Sequence, residues 1–254
     1  MQRLAIVTGG TTGIGLSVAK ALMMSGHRVA IGARHALDPE VHAQITKDFG
    51  ASVFVDQLDV AQGESVNKFV DKVRTEFGPP AILVNAAGIF NESFLHDHSD
   101  AAWLDQIEVN LTGAFRMTRA VFPDMIFAKW GRIANIASTA GTKGAAGYAG
   151  YCASKAGLIG LSKATAVEGA PNGISCISLS PTWVETPMMQ NAIHRIASKK
   201  TITNAQARAI LEKSNPQGRL VQPSEIAAMV DFFCSERSPG LTNVDIQINA
   251  GADW

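Results

Sequence analysis

Along this 254-residue chain the apolar and polar positions follow two alternating rhythms. Short continuous apolar runs of strand length are separated by longer stretches in which apolar residues return every three or four positions. Leu4–Thr8 is the first continuous run, and the glycines that follow it predict a strand buried on both faces. Residues 15–25 predict a helix, with Leu16, Ala19 and Met23 near one face and Gly26 as its stop. Strands are predicted at 29–33, 52–55 and 81–85, with a helix at 40–49 that Gly50 ends. Another helix at 64–77 sets Val66, Phe69, Val70, Val73 and Phe77 at helical spacing before Gly78-Pro79-Pro80 breaks it. In the second half, 100–129 reads as one long helical stretch, bent or interrupted near Pro123. A strand at 132–137, a helix at 150–169 and a strand at 174–180 follow. Residues 186–213 predict two short helices, the second capped by Thr203 or Asn204. A helix at 224–235 and a strand at Val244–Ile248 close the pattern. Seven apolar strands alternating with helices, with no polar linker, predict one α/β domain: a doubly wound, seven-stranded parallel sheet covered by helices on both faces.

Composition narrows the function classes. Lys plus Arg and Asp plus Glu both total 22, so the net charge is zero and there is no general basic field for nucleic acid. The three cysteines, Cys152, Cys176 and Cys234, are odd in number and widely spaced. They exclude a simple disulfide framework and a CxxC metal pair, and they suit a reducing compartment. The longest uncharged run, 169–184, is broken by Pro171, Asn172, Gly173 and Pro181 and is too short to span a bilayer. The N-terminus runs directly into the first strand, with no secretory segment. These features predict a soluble cytoplasmic protein with no membrane or nucleic-acid partner.

Candidate chemistry begins at Thr8-Gly9-Gly10-Thr11-Thr12-Gly13-Ile14-Gly15, between the first strand and the first helix. Glycines there let the backbone turn tightly and approach a pyrophosphate, while the helix start offers free N–H groups and a positive dipole end. The alternative is a tight turn that binds nothing. Further along, Tyr151 and Lys155 stand four apart on a predicted helix and share a face. A nearby ammonium lowers a phenol's pKa from about 10, which would make Tyr151 a general acid/base for a carbonyl/alcohol pair. Ser138, at a strand end, could hold the substrate oxygen meanwhile.

The ordered set of motifs resembles the short-chain dehydrogenase/reductase family. Residues 8–15 match its TGxxxGxG turn, and Asn85-Ala86-Ala87-Gly88 is similar to its NNAG segment, with Ala86 for the second Asn. Asp59-Val60 resembles the pair after strand three, and Tyr151 to Lys155 matches YxxxK, with Ser138 thirteen residues earlier. Residues 181–187 resemble PGxVxTP, with Thr182 in place of Gly. Within the family the chain is distantly similar to 3-oxoacyl reductases and 3-hydroxybutyrate dehydrogenases.

The resemblance implies a single Rossmann-type domain over residues 1–254, with a cofactor half to about 130 and catalytic and substrate segments from about 131. It implies Asn110, Ser138, Tyr151 and Lys155 as the catalytic set, with Asn110 anchoring a water in a proton relay and Lys155 also holding the nicotinamide ribose. The alternative for Asn110 is a polar side chain bonded to neighbouring backbone. The implied cofactor contacts are Thr8, Gly9, Thr12, Gly13, Ile14, Gly15, Arg34, Asp59, Val60, Asn85, Ala86, Gly88, Tyr151, Lys155, Pro181, Val184 and Thr186. Asp59 would meet the adenine amino group. At the end of strand two, Ala33 occupies the place of the acid that meets a free 2′-hydroxyl, and Arg34 could grip a 2′-phosphate. NADP(H) is therefore preferred, with NAD(H) the alternative.

Phe90, Ala140, Tyr148, Trp183, Met188, Met189 and Trp254 are candidate pocket walls, and their apolar character favours a neutral, medium-sized ketone or secondary alcohol. Phe90 and Tyr148 take places where hydroxybutyrate enzymes hold a carboxylate. Lys199 and Lys200 read as a solvated helix end, with a carrier's phosphates as the alternative. His96 and His98 form no metal set, so no metal is expected. Cys152 reads as a buried filler, or else a thiol activated by Lys155. Phe115, Met117, Phe122, Leu158 and Leu161 could pair subunits into a homotetramer or homodimer, or serve as core. The reading is an NADP(H)-dependent oxidoreductase that interconverts a ketone and a secondary alcohol. Its rivals are an NAD-dependent dehydrogenase of a hydroxy acid or secondary alcohol, and a non-catalytic nucleotide-binding regulator.

Overall fold

A computed structural model describes residues 2–35 and 38–252. Trp254 lies outside them. Seven strands form one parallel sheet: β1 (Leu4–Thr8), β2 (Arg28–Ala33), β3 (Val53–Gln57), β4 (Ile82–Asn85), β5 (Gly131–Ile136), β6 (Ile174–Pro181) and β7 (Val244–Ile248). Their order is β3-β2-β1-β4-β5-β6-β7. The order reverses between β1 and β4, whose ends register as Thr8 against Asn85. In an open parallel sheet that reversal leaves a crevice beyond the strand ends, where ligands bind.

The described residues also form nine α-helices: α1 (Gly13–Met24), α2 (Pro39–Phe49), α3 (Gly63–Phe77), α4 (Asp100–Ile107), α5 (Gly113–Ala128), α6 (Ala149–Gly169), α7 (Pro187–Lys200), α8 (Asn204–Ser214) and α9 (Pro223–Cys234). Every residue of β1 is buried, and alternation sends them to two different layers. Ala5 and Val7 join Val18, Leu22 and Val230 of α1 and α9 on one face, while Leu4 and Ile6 join Phe69, Val73 and Met117 of α3 and α5 on the other. That two-sided burial is why the strands read as continuous apolar runs.

The element order agrees with the sequence reading, with two differences that bear on the site. Helix α1 starts at Gly13, two residues earlier than expected, so the first helical N–H groups belong to the glycine turn. The long stretch at 100–129 is interrupted at Glu108–Thr112, a wider π-type turn, and not at Pro123. Pro123 sits within α5 and, like Arg119 four residues earlier, on its exposed side. The carbonyl it leaves unpaired therefore meets water. Thr203 caps α8 with a capping box closed by Gln206. Met117 and Leu158, considered for subunit pairing, are fully buried core, whereas Phe115 is exposed alongside Ile126 and Phe127.

Candidate active site

The glycine turn is shaped by two close approaches. Gly9 has φ +64°, and a Cβ there would stand 2.8 Å from the Ala87 Cα. A Cβ on Gly15 would stand 2.4 Å from the Gly9 carbonyl oxygen. Only glycine fits either position. The Thr8 hydroxyl accepts hydrogen bonds from the Ala86 and Ala87 N–H groups, both at 3.1 Å, which fastens the end of β1 to the segment after β4. Thr12 precedes α1 but makes no side-chain cap, so the first N–H groups of the helix stay available. Around this turn a cavity is lined by Gly9, Thr12, Arg34, Val60 and Gly88, together with Thr11 and His35, which the sequence reading did not single out.

Gly88 also lines a second, more apolar cavity, so the two are neighbours. Here the structure brings together Ser138, Tyr151 and Lys155 with Phe90, Ala140, Tyr148, Trp183, Met188 and Met189. Ile14, Ala86, Pro181, Val184 and Thr186 complete the junction with the glycine turn. Ser138 follows β5 and caps the short turn at Thr139–Gly141, its Oγ accepting from the Ala140 N–H at 3.1 Å. It also stands near enough to the Tyr151 hydroxyl to favour the phenolate slightly.

The charge state of Tyr151 differs from the sequence expectation. Burial pushes its pKa up to about 12, against the smaller opposing pull of the Ser138 hydroxyl. Lys155 does not reverse this. Lys155 is 5% exposed, and its ammonium donates to the Ile136 carbonyl at 2.8 Å and lies 5.6 Å from the Tyr151 ring centroid. Burial pushes the Lys155 pKa down to about 8. The cleft therefore holds a protonated phenol beside an amine whose charge is easily given up.

Asn110 sits in the π-type turn and clamps the segment after β4. Its Oδ1 accepts from the Ile89 N–H at 2.8 Å, and its Nδ2 donates to the Ile89 carbonyl and to the Ser154 Oγ, both at 3.0 Å. Ser154 in turn donates to the Tyr151 carbonyl at 2.8 Å. Asn110 is thus bonded to neighbouring backbone, as the alternative reading held, yet it remains close to the cleft. A Cβ on Gly88 would lie 3.4 Å from its Oδ1 and 3.6 Å from Lys155 Nζ. Ser154 carried no signal in the sequence, because a serine inside a helix is commonplace.

Several candidates point elsewhere. Asn85 donates to Asn135 Oδ1 at 2.8 Å in the buried layer against α5, because strand alternation turns it away from the crevice. Asp59 accepts from the Ala61 N–H at 3.0 Å, shaping its own turn, and lines neither cavity. Lys199 pairs with Glu92 at 2.8 Å and is not a bare solvated end. Cys152 is half-buried, its thiol facing the Lys143 carbonyl at 3.7 Å. His96 pairs with Asp97 on the surface, and the described residues contain no group of three metal-ligating side chains. Thr182, in the place of the family's glycine, is buried and donates to Asn215 Oδ1 at 3.2 Å. Glu92 and Arg195, 103 positions apart, meet at 2.6 Å, a contact with no local sequence signal. No helix among the described residues is long and apolar enough to cross a membrane.

Comparison with known proteins places these features in context. The family model described as short chain dehydrogenase matches residues 3–197. The putative ketoacyl reductase of the monensin polyketide synthase from Streptomyces virginiae is 36% identical, with 98% of this chain and 97% of that protein covered. An acetoacetyl-CoA reductase from Shinella zoogloeoides is 35% identical, covering 99% and 98%. A solved actinorhodin polyketide ketoreductase with NADPH superposes with a TM-score of 0.94 at 34% identity, over 98% of this chain and 97% of that one.

Proposed function

The chain belongs to the short-chain dehydrogenase family, and from that premise we propose that it is an NADP(H)-dependent reductase of ketones to secondary alcohols, with Tyr151 as the proton donor. The observation that carries the reading is the convergence of Ser138, Tyr151 and Lys155 on one apolar cavity that adjoins the glycine-turn cavity at Gly88.

The residues fit a dinucleotide. The glycine turn, the open start of α1 and Arg34 at the cavity rim suit the pyrophosphate and a 2′-phosphate. NADPH supplies the reducing equivalent when bound. The protein's own part is proton management and orientation. Ser138 holds the carbonyl oxygen, and the Tyr151 phenol gives it a proton. Burial keeps that phenol protonated, the form a reduction needs. Lys155 lies beside it, and the ammonium stabilises the phenolate once the proton has left. The similarity to ketoacyl and acetoacetyl-CoA reductases supports the same direction.

Exposed Phe115, Ile126 and Phe127 on α5 support association into a homodimer or homotetramer, which sedimentation velocity tests. The free thiols suit the cytoplasm.

The deciding experiment titrates the protein with NADPH and NADH, following energy transfer from its tryptophans. It then measures NADPH oxidation with neutral ketones. Tighter NADPH binding and ketone-dependent oxidation are expected. Tighter NADH binding, or no turnover of any ketone or alcohol, overturns the reading.

A further inference from the structure

We propose that Gln106 and His98, with one water between them, form a hydrogen-bonded relay across Gly150 that fixes the Phe90 wall of the substrate cavity, which makes Gln106 a positioning residue for the reaction. The relay stands on its own geometry, and its link to turnover rests on the reductase reading.

Gln106 lies on α4, four residues before Asn110, and both amides grip the segment after β4. Asn110 holds Ile89 by its N–H and its carbonyl, and Gln106 Oε1 accepts from the Asn91 N–H at 3.1 Å. Between these two anchors stands Phe90, which lines the substrate cavity. Its ring centroid is 4.6 Å from that of Tyr148 and 5.1 Å from that of Tyr151, with the Phe90 and Tyr151 rings at 85°. The placement of Phe90 therefore bears on the ring of the proposed proton donor.

Gln106 is fully buried, yet its Nε2 has no partner in the protein. A buried donor left unpaired is costly. The Nε2 of His98 is likewise buried and without a partner. Both nitrogens approach α6 at Gly150, the residue before Tyr151. A Cβ on Gly150 would stand 2.7 Å from Gln106 Nε2 and 3.2 Å from His98 Nε2.

The two unpaired atoms are complementary. The Asn91 N–H identifies Gln106 Oε1 as the acceptor, so Nε2 is the end with protons to give. His98 Nδ1 lies 3.2 Å from the Ser99 carbonyl, which can only accept, so Nδ1 carries the proton of the neutral ring and Nε2 presents a lone pair. One water that accepts from the amide and donates to the imidazole satisfies both. The chain of hydrogen bonds then runs from the Asn91 N–H to the Ser99 carbonyl, and Ser99 caps α4. It closes the loop after Phe90 on itself and sets it against the start of α6.

The test uses three variants. Gln106→Leu removes both halves of the relay at nearly constant volume, His98→Leu removes the acceptor, and His98→Gln keeps an acceptor at the same reach. Kinetics are measured with methyl pentyl ketone and cyclohexanone. Gln106→Leu is expected to raise KM about three- to tenfold, the size of one neutral hydrogen bond, with kcat within about twofold and NADPH affinity unchanged. His98→Leu should raise KM by less, and His98→Gln should return it to near the wild-type value. Histidine-ring 15N spectra at pH 8, where imidazoles are neutral, read the relay directly. His98, identified by the signals lost in His98→Gln, should carry its proton on Nδ1, and Gln106→Leu should shift its Nε2 signal. A proton on Nε2, or an unchanged KM in Gln106→Leu, overturns the proposal and leaves the reductase reading intact. If Gln106→Leu does not fold, equal KM values in His98→Leu and His98→Gln overturn it. No wild-type turnover of either ketone overturns the reductase reading and the positioning role together, and the tautomer then decides the relay alone.

Discussion

The floor of the cleft and the lid over it are held by different chemistry. Asn110, Ser154 and Lys155 on the floor are each no more than 5% exposed, and their partners are backbone groups or hydroxyls on β5, on the segment after β4 and on α6. The lid, α7 with α8, has a small core of its own in Met189, Ile193, Ala207, Leu211 and Leu220, separate from the two large cores against the sheet. It is tied down by partly exposed ion pairs: Glu92 with Arg195 and Lys199, and Glu185 with Arg208. Buried hydrogen bonds fix positions within fractions of an ångström, which proton transfer needs, whereas exposed ion pairs are weak and open readily. On the proposed reading, the molecule puts geometry where the bond is made and compliance over the substrate cavity.

Variants on the two sides should fall on different scales, and the largest effect belongs to the floor. Tyr151→Phe removes the proposed proton donor and leaves the ring in place. Its kcat is expected to fall at least a thousandfold, the upper part of the range for general acid catalysis, with NADPH affinity unchanged. A variant that keeps full turnover would remove Tyr151 from the mechanism. Asn110→Ala comes next. It strips partners from the Ile89 N–H and carbonyl, and each such group left unpaired in the interior costs about 1–3 kcal/mol. Calorimetry should register a drop of several degrees, and kcat should fall more than KM rises. A Tm within a degree of wild type would show that the floor is less tightly built than its contacts imply.

Arg34 occupies an intermediate case, an exposed cation beside a rigid turn. Arg34→Ala should weaken NADPH binding by roughly tenfold to a hundredfold, the worth of a charge-assisted hydrogen bond, and leave NADH almost untouched. Equal weakening of both nucleotides would mean that Arg34 meets the adenine or pyrophosphate instead.

This division also explains what could be read from the chain. Strand–helix alternation, the glycine turn and the Ser138, Tyr151 and Lys155 spacing are local or periodic signals, and each reports a steric or chemical requirement at fixed positions. The interruption at Glu108–Thr112 was misplaced to Pro123, because proline is a visible breaker while a π-type turn depends on what Asn110 reaches across the cleft. Asn85 was assigned to the cleft from its motif, although alternation along β4 turns it into the interior. The pKa of Tyr151 was read from one neighbour, while the depth of burial, a property of the whole fold, decides its direction. The ion pairs of Glu92 join residues about a hundred positions apart, so no window of sequence displays them.

The smallest expected effect comes from Glu92→Gln, and it tests whether the lid is as lightly held as its chemistry implies. The Glu92 side chain is 18% exposed, Arg195 28% and Lys199 56%, so solvent screens the cluster and its contribution to stability is at most about 1 kcal/mol. Burial alone would raise the Glu92 pKa, but the hydrogen bonds and charges of Lys199 and Arg195 outweigh it and hold the carboxyl below its ordinary 4.5. A carboxyl whose pKa is depressed by folding gives its full contribution above the unfolded value and loses it as pH falls through the folded one. Between neutrality and about pH 5 the latch should therefore not change, and its loosening should begin only below the ordinary carboxylate range. Raising the salt concentration at neutral pH should mimic the substitution, because ions screen exposed pairs more than buried ones. In both cases KM is expected to rise a few-fold while kcat stays within twofold. A fall in kcat as large as that of Asn110→Ala would show that the ion pairs set the position of the phenol as well as the entrance, and the contrast between floor and lid would collapse.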